Sequence, residues 1–179
     1  MFGTKLLMVF GVSGVGKTTA CAEYARRKEH VEHLSASRLL GLERSSATGR
    51  SEDEALLDQH KLVELVLQAR ATTAADVLLL DAHSVVLAGG RQLIVPVDII
   101  ASMEPTGLIF FEADPEVVVH RRSGRGDQIT DVPDLDGMKQ LQLVALRAVE
   151  EYSRILRCPI SIVKADQSID LAVAIEKLL

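Results

Sequence analysis

The residues with the clearest chemical potential form a glycine-rich segment near the N-terminus. It reads Gly11-Val12-Ser13-Gly14-Val15-Gly16-Lys17-Thr18 and fits the pattern G-x-x-x-x-G-K-[ST]. In such a segment, glycines let backbone N–H groups converge on phosphate oxygens, and the following helix N-terminus adds a favourable dipole. Lys17 would supply charge for the β- and γ-phosphates, and Thr18 a hydroxyl ligand for Mg²⁺. The predicted cofactors are therefore ATP and Mg²⁺, bound by Gly11, Ser13, Gly14, Val15, Gly16, Lys17, Thr18 and Thr19.

A second candidate group follows the apolar run 77–80. Asp81 ends this predicted strand, and Ala82, His83 and Ser84 come directly after it. In open α/β sheets, ligands bind beyond the carboxyl ends of the strands. We expect Asp81 to help order Mg²⁺, directly or through water, and His83 and Ser84 to bind a phosphoryl acceptor. A loop histidine hydrogen-bonded to backbone is the alternative interpretation of His83.

Three arginines form a basic cluster in the segment from His120 to Asp127. Arg121 and Arg122 lie at a predicted helix end, and Arg125 follows Gly124. Because the planar guanidinium binds two phosphate oxygens, these residues are predicted to offset charge on a transferring phosphoryl group. The glycines predict a short lid over about residues 121–130. Attraction of basic residues to the negative end of the helix dipole would explain one or two of the arginines, but not the third.

The elements that would position these groups alternate along the chain. Five apolar runs read as buried strands: 5–10, 31–34, 77–80, 107–111 and 160–164. Helical patterns cover about 17–29, 37–43, 53–72, 97–103, 115–122, 134–156 and 168–178. Asp114 and Asp134 have the residue type and position of helix N-caps. This alternation predicts an α/β fold in which a parallel sheet has helices on both faces.

Composition places bounds on the class of protein. A chain of 179 residues suits a single domain over 1–179. The net charge of −5 and the 3% aromatic content argue against a general nucleic-acid binder. Cys21 and Cys158 lack metal-ligand spacing and are expected to be small buried side chains. No secretory leader or membrane span is evident, so we expect a cytoplasmic location and no membrane partner.

These motifs together resemble the nucleoside-monophosphate kinase family, and most of all the archaeal-type adenylate kinases and adenylate-kinase-like proteins. The likeness rests on the phosphate loop, on the D-x-H-S segment Asp81–Ser84, on the segment 89–96, and on the run that ends in Arg121 and Arg122. It implies a three-layer P-loop NTPase fold with a five-stranded parallel sheet. It also implies phosphoryl transfer from ATP to AMP, with an acceptor-binding segment over about 34–73. In that family the segment 89–96 corresponds to a loop that runs back to the sheet.

The acceptor is the least determined part of the pattern. Arg38, Arg44 and Arg50 could each bind an acceptor phosphate, and Arg38 is the one assigned here to the site. Residues 34–39 match the family's acceptor segment poorly, and Arg125-Gly126-Asp127 stands where relatives often have R-x-R-D. Two alternatives therefore stay open: a P-loop kinase of another small molecule, with Asp81 or His83 as base, and a nucleotide-switched assembly ATPase with a protein partner.

Overall fold

Five parallel strands form the central sheet of the protein, which a computed structural model describes over residues 3–42, 50–124, 133–165 and 168–179. The strands in chain order are β1 (Lys5–Phe10), β2 (Val31–Ser35), β3 (Val77–Asp81), β4 (Val85–Ala88), β5 (Arg91–Ile94), β6 (Gly107–Glu112) and β7 (Ile160–Lys164). The sheet has the order β2-β3-β1-β6-β7, with every pairing parallel. This confirms the predicted fold class and all five predicted strands.

The helices fill the crossovers between these strands. They are α1 (Lys17–Arg27), α2 (Ala36–Leu39), α3 (Glu52–Thr72), α4 (Val97–Ser102), α5 (Pro115–Ser123), α6 (Leu135–Leu156) and α7 (Ser168–Leu178). All seven predicted helices are present, with ends that differ by a few residues. Helix α1 packs against α7, whereas α6 packs against α4 and α5. None of the helices in the described ranges is long and apolar enough to cross a bilayer.

The core lies along the three central strands. Every residue of β3 is buried, and β1 and β6 are buried except at one end. Burying one leucine-sized side chain stabilises a fold by about 1.5–3 kcal/mol, so these apolar runs favour burial on both faces of the sheet. The register pairs Asp81 with Val9 of β1 and with Ser35 of β2. The polar end of β3 therefore meets the start of the phosphate loop at one edge of the sheet.

A β-hairpin follows the central strand β3. Strands β4 and β5 pair antiparallel, with Val85 opposite Ile94 and Ala88 opposite Arg91. Gly89 and Gly90 have φ values of 57° and 73°, and two such residues suit the tight turn that joins twisted strands. The resemblance implied that 89–96 is a loop that runs back to the sheet. The structure adds that Gly89 and Gly90 form the turn of a hairpin, whose flanking residues pair.

Side-chain hydrogen bonds fix the N-terminal end of α5, the helix that carries Arg121 and Arg122. Asp114 accepts a hydrogen bond from the Glu116 amide and caps α5, as predicted, and Asp134 caps α6 through the Gly137 amide. The buried Gln142 side chain of α6 bonds both backbone groups of Ala113, at 3.3 Å and 3.0 Å. This amide pair ties the start of α5 to α6. The two cysteines are buried and free, as expected.

Candidate active site

The phosphate loop joins β1 to α1 through glycines whose backbone suits few other residues. Gly11, Gly14 and Gly16 have φ values of 146°, 88° and 109°. A Cβ atom on Gly11 would lie 2.7 Å from the carbonyl oxygen of Phe111, which is backbone and cannot move aside easily. The chain therefore needs glycine at Gly11 for two reasons, conformation and space.

Gly11→Ala is expected to destabilise the protein by about 2 kcal/mol or more, because it adds a backbone clash to an unfavourable φ. Urea unfolding followed by circular dichroism measures this. Gly41→Ala is the matched control, since Gly41 has φ 64° but no atom within 4 Å of its added Cβ. We expect the control to lose about 1 kcal/mol. Equal losses in the two variants would contradict the close approach of Gly11 to Phe111.

The other loop residues divide into one anchor and several open hydroxyls. Val15 is fully buried in the hydrophobic core, which holds the loop against the sheet. Ser13, Thr18 and Thr19 are exposed, so their hydroxyl groups are open to a ligand. The loop thus combines a fixed backbone with accessible polar side chains, as a phosphate site requires.

Lys17 is the buried charge of the loop. Its Nζ donates to the carbonyl oxygens of Gly11 at 2.7 Å and Val12 at 3.2 Å. Burial lowers the pKa of Lys17 to about 8, although the nearby Asp81 carboxylate acts in the opposite direction. Phosphate oxygens are stronger acceptors for an ammonium group than neutral carbonyls are. The free protein therefore holds Lys17 beside the loop, where a phosphate could become its partner.

The Asp81 carboxylate interacts with Lys17 and Thr18 of the loop and stays ionised. Burial raises the pKa of its carboxyl, but a hydrogen bond from His33, the charge of Lys17 and a smaller contribution from Thr18 outweigh burial, so the pKa lies below its usual value. Mg²⁺ usually binds one or two protein oxygens together with waters and substrate phosphates. The Thr18 hydroxyl and the Asp81 carboxylate supply such oxygens. These residues therefore fit the predicted magnesium site.

His83 also approaches the phosphate loop. Its Nδ1 lies 3.1 Å from the carbonyl oxygen of Gly11, which can only accept, so Nδ1 carries the hydrogen. The positive charge of Lys17 and then burial lower the pKa of His83 to about 3. The ring is therefore neutral at physiological pH, and its Nε2 has a free lone pair. The Nδ1 hydrogen bond agrees with the interpretation of His83 as a histidine bonded to backbone, whereas Nε2 remains open to a ligand.

The remaining predicted acceptor residues are placed differently. Ser84 is buried, and its hydroxyl donates to the Ala145 carbonyl oxygen at 3.1 Å, so this group has a partner inside the fold. Arg38 is exposed in the last turn of α2. Arg50 forms an ion pair with Asp58 of α3. Arg44 lies outside the described residues. An acceptor role for Ser84 or Arg38 stays a prediction.

Two of the three predicted catalytic arginines lie over the phosphate loop. Arg121 donates from Nη1 to the Val15 carbonyl oxygen at 3.3 Å. A Cβ atom on Gly14 would lie 3.0 Å from Cγ of Arg122, so this side chain passes directly over the glycine. Both residues belong to the last turn of α5. Arg125 and most of the predicted lid fall outside the described residues.

A cleft of about 480 Å³ opens beside the loop between α1 and α7. Gly14, Gly16 and Thr19 border its end at the glycine-rich loop. Its apolar lining includes Phe111, Ala165, Leu171 and Ala172, and its polar lining includes Glu23, Tyr24, Arg27 and Lys28. A cavity of this volume with an apolar wall and a few polar groups is typical of a small-ligand site. Its position suits the nucleoside part of a nucleotide whose phosphates occupy the loop.

Sequence reasoning missed His33. Its Nε2 lies 2.6 Å from Oδ2 of Asp81, and both side chains are 8% exposed. The feature that could have identified His33 is the parallel pairing of β2 with β3, which places Ser35 opposite Asp81. Residues two apart on a strand share a face, so His33 lies diagonally across from Asp81 on that face. The prediction required the strand register, which was not determined from the sequence.

A protein-family profile for the AAA domain matches residues 10–139, well over half of the chain. The chain belongs to the AAA domain family. The matched range begins at the end of β1 and includes the phosphate loop, Asp81 and the two α5 arginines. This AAA domain is a kinase-like P-loop NTPase domain.

One solved structure with a similar fold is an unliganded sugar kinase from Janibacter sp. HTCC2649. It aligns with a TM-score of 0.61 and 18% identity, over 97% of this chain and 95% of that chain. At this identity, the similarity concerns the fold, which extends over almost the full length of both chains. No curated protein matches this chain significantly in sequence.

Proposed function

We propose that this protein is an ATP-dependent kinase that transfers the γ-phosphoryl group to a nucleoside monophosphate, with AMP preferred. The observation that carries the proposal is the convergence of positive charge on one loop. Lys17 lies beneath the loop, and Arg121 and Arg122 lie over it. Phosphoryl transfer requires positioning and charge stabilisation above all, and this arrangement supplies both.

On the donor side, the loop amides and Lys17 would bind the β- and γ-phosphates. The cleft beside Thr19 would take the nucleoside, with its base against the apolar wall that includes Phe111 and Ala165. Thr18 and Asp81 would hold Mg²⁺, which, when bound, neutralises charge on the β- and γ-phosphates. These assignments use the groups that are open or ionised in the free protein.

On the acceptor side, a monophosphate is already a competent nucleophile and needs no general base. Asp81 is then not needed as a base. This agrees with its surroundings, because His33 is hydrogen-bonded to one of its oxygens and Lys17 and Thr18 interact with the same carboxylate. Arg38 is exposed within the acceptor segment and is free to approach an anionic acceptor. The resemblance of Asp81–Ser84 to the D-x-H-S segment of adenylate-kinase-like proteins supports the same choice of acceptor.

A small-molecule alcohol is the second candidate acceptor, and His83 is the observation that favours it. An alcohol must lose a proton during transfer, so it needs a base within hydrogen-bonding reach. The neutral His83 ring has an unprotonated Nε2 near the loop. Its lowered pKa makes it a weak base before the donor binds, because Lys17 opposes protonation. We therefore rank the alcohol below the monophosphate.

An acceptor panel tests the proposal. The full chain is incubated with Mg²⁺ and ATP labelled at the γ-phosphate, together with AMP, CMP, GMP, UMP, and a set of sugars and hydroxy acids. We expect label transfer to AMP at about 1–100 s⁻¹, a usual range for kinases, and slower transfer to the other monophosphates. Transfer to an alcohol alone would overturn the monophosphate assignment. ATP hydrolysis without transfer to any acceptor would favour the assembly ATPase instead.

A further inference from the structure

The His33–Asp81 hydrogen bond joins two side chains that the fold buries beside the phosphate loop. His33 Nε2 and Asp81 Oδ2 are 2.6 Å apart. An ionised carboxylate only accepts, so the ring nitrogen carries the hydrogen. A short bond between buried partners, one of them charged, is among the stronger hydrogen bonds in proteins. It therefore limits the rotation of the Asp81 carboxylate.

A second histidine–aspartate pair lies at the other end of the same two strands and serves as a comparison. His30 precedes β2, and Asp76 precedes β3. Their side chains are 73% and 80% exposed, and the closest nitrogen–oxygen distance is 3.9 Å. Exposed pairs of this kind contribute little free energy. The chain thus contains a buried, close pair at one end of these strands and an exposed, loose pair at the other.

We infer that His33 is a positioning residue that holds the Asp81 carboxylate by Oδ2 and leaves Oδ1 for the metal ion. The torsion of an aspartate carboxyl is broad, so without such a bond the group would sample many orientations. Groups that orient a metal-binding side chain typically contribute 10- to 100-fold to metal affinity or activity. The inference rests on the proposed function, because it assumes that Asp81 and Thr18 bind Mg²⁺ with the nucleotide.

The groups that lower the pKa of Asp81 come from two neighbouring elements. His33 comes from β2, whereas Lys17 and Thr18 come from the first turn of α1. Lys17 is itself held by the carbonyls of Gly11 and Val12. Removing His33 therefore frees a carboxylate that lies beside a fixed ammonium group. We expect Asp81 to turn toward Lys17. This rotation would weaken the binding of Mg²⁺ more than the binding of the nucleotide phosphates.

The test measures how strongly Mg²⁺ increases nucleotide affinity. Calorimetry gives the Kd of the full chain for a non-hydrolysable ATP analogue, in excess Mg²⁺ and in excess EDTA. His33→Leu removes the donor. His33→Gln keeps an amide N–H at a similar reach, and His30→Leu is the matched control. We expect His33→Leu to reduce the Mg²⁺-dependent gain in affinity by about 10- to 100-fold, with the Kd in EDTA nearly unchanged.

His33→Gln should recover part of the gain, and His30→Leu should behave as the natural protein does. Circular dichroism checks that each variant is folded, and His33→Gln keeps the test decisive if His33→Leu is not. An unchanged Mg²⁺ gain in His33→Leu, or an equal loss in Mg²⁺ and EDTA, would overturn the inference. Nucleotide binding by the natural protein without any Mg²⁺ gain would also overturn it but would leave the kinase proposal standing. Absence of nucleotide binding would overturn both.

Discussion

Lys17→Met is expected to reduce kcat for phosphoryl transfer by about 10³-fold or more while the protein remains folded. Lys17 is the buried cation beneath the loop, and its charge would offset the charge that develops between the β- and γ-phosphates. Methionine has similar length and no charge, so it fills the same space. The Gly11 and Val12 carbonyls each lose one donor but keep another, from His83 Nδ1 and from the Val15 amide. No buried charge is left without a partner, since the nearby Asp81 retains His33.

Steady-state kinetics with ATP and AMP measure this loss, and thermal unfolding followed by circular dichroism checks the fold. Lys177→Met is the matched control, because Lys177 is exposed near the end of α7 and does not line the cleft. The control should retain full activity. A Lys17→Met protein that transfers phosphoryl groups at nearly the natural rate would contradict the role assigned to Lys17.

Arg122→Ala is expected to reduce kcat by about 10³- to 10⁵-fold, the range attributed to arginines that stabilise a transferring phosphoryl group. Arg122 crosses the loop at Gly14, and its charge contributes to the lowered pKa of His83. It therefore lies close to the centre of the predicted reaction. Because its charge matters most in the transition state, we expect kcat to fall much more than the affinity for ATP.

The same kinetic assay, with ATP affinity measured separately by calorimetry, checks the second prediction. Arg122→Lys keeps the charge but loses the two-pronged geometry, so it should recover only part of the rate. Arg26→Ala is the control, since Arg26 is an exposed arginine of α1 that does not line the cleft. An Arg122→Ala variant with unchanged kcat and weaker ATP binding would show that Arg122 only binds the donor.

Much of the fold could be predicted because local signals and tertiary packing agree. The runs at β1, β3 and β6 are continuously apolar, which is typical of strands covered on both faces. The glycines and Lys17 identify the phosphate loop because its backbone and chemistry tolerate few alternatives. Aspartates at 114 and 134 marked helix starts through a local side-chain to backbone bond. Such features depend on residues close in sequence.

The features that were missed depend on residues distant in sequence or on weak patterns. The β4–β5 hairpin has short strands of mixed polarity, and only Gly89-Gly90 signals its turn. His33 and Asp81 are 48 residues apart, and their contact requires the register of two strands. The Ser84 hydroxyl donates to the Ala145 carbonyl of α6, a contact between distant residues that sequence order did not predict. Its role in acceptor binding stays a prediction.

The central claim is that the loop from Gly11 to Thr18 encloses the triphosphate of a nucleotide. The most direct measurement is a crystal structure of the full chain with Mg²⁺ and a non-hydrolysable ATP analogue. We expect the β- and γ-phosphates against the loop amides and Lys17, and the base in the cleft near Ala165. An analogue bound elsewhere, with this loop closed by its own side chains at saturating concentration, would contradict the claim.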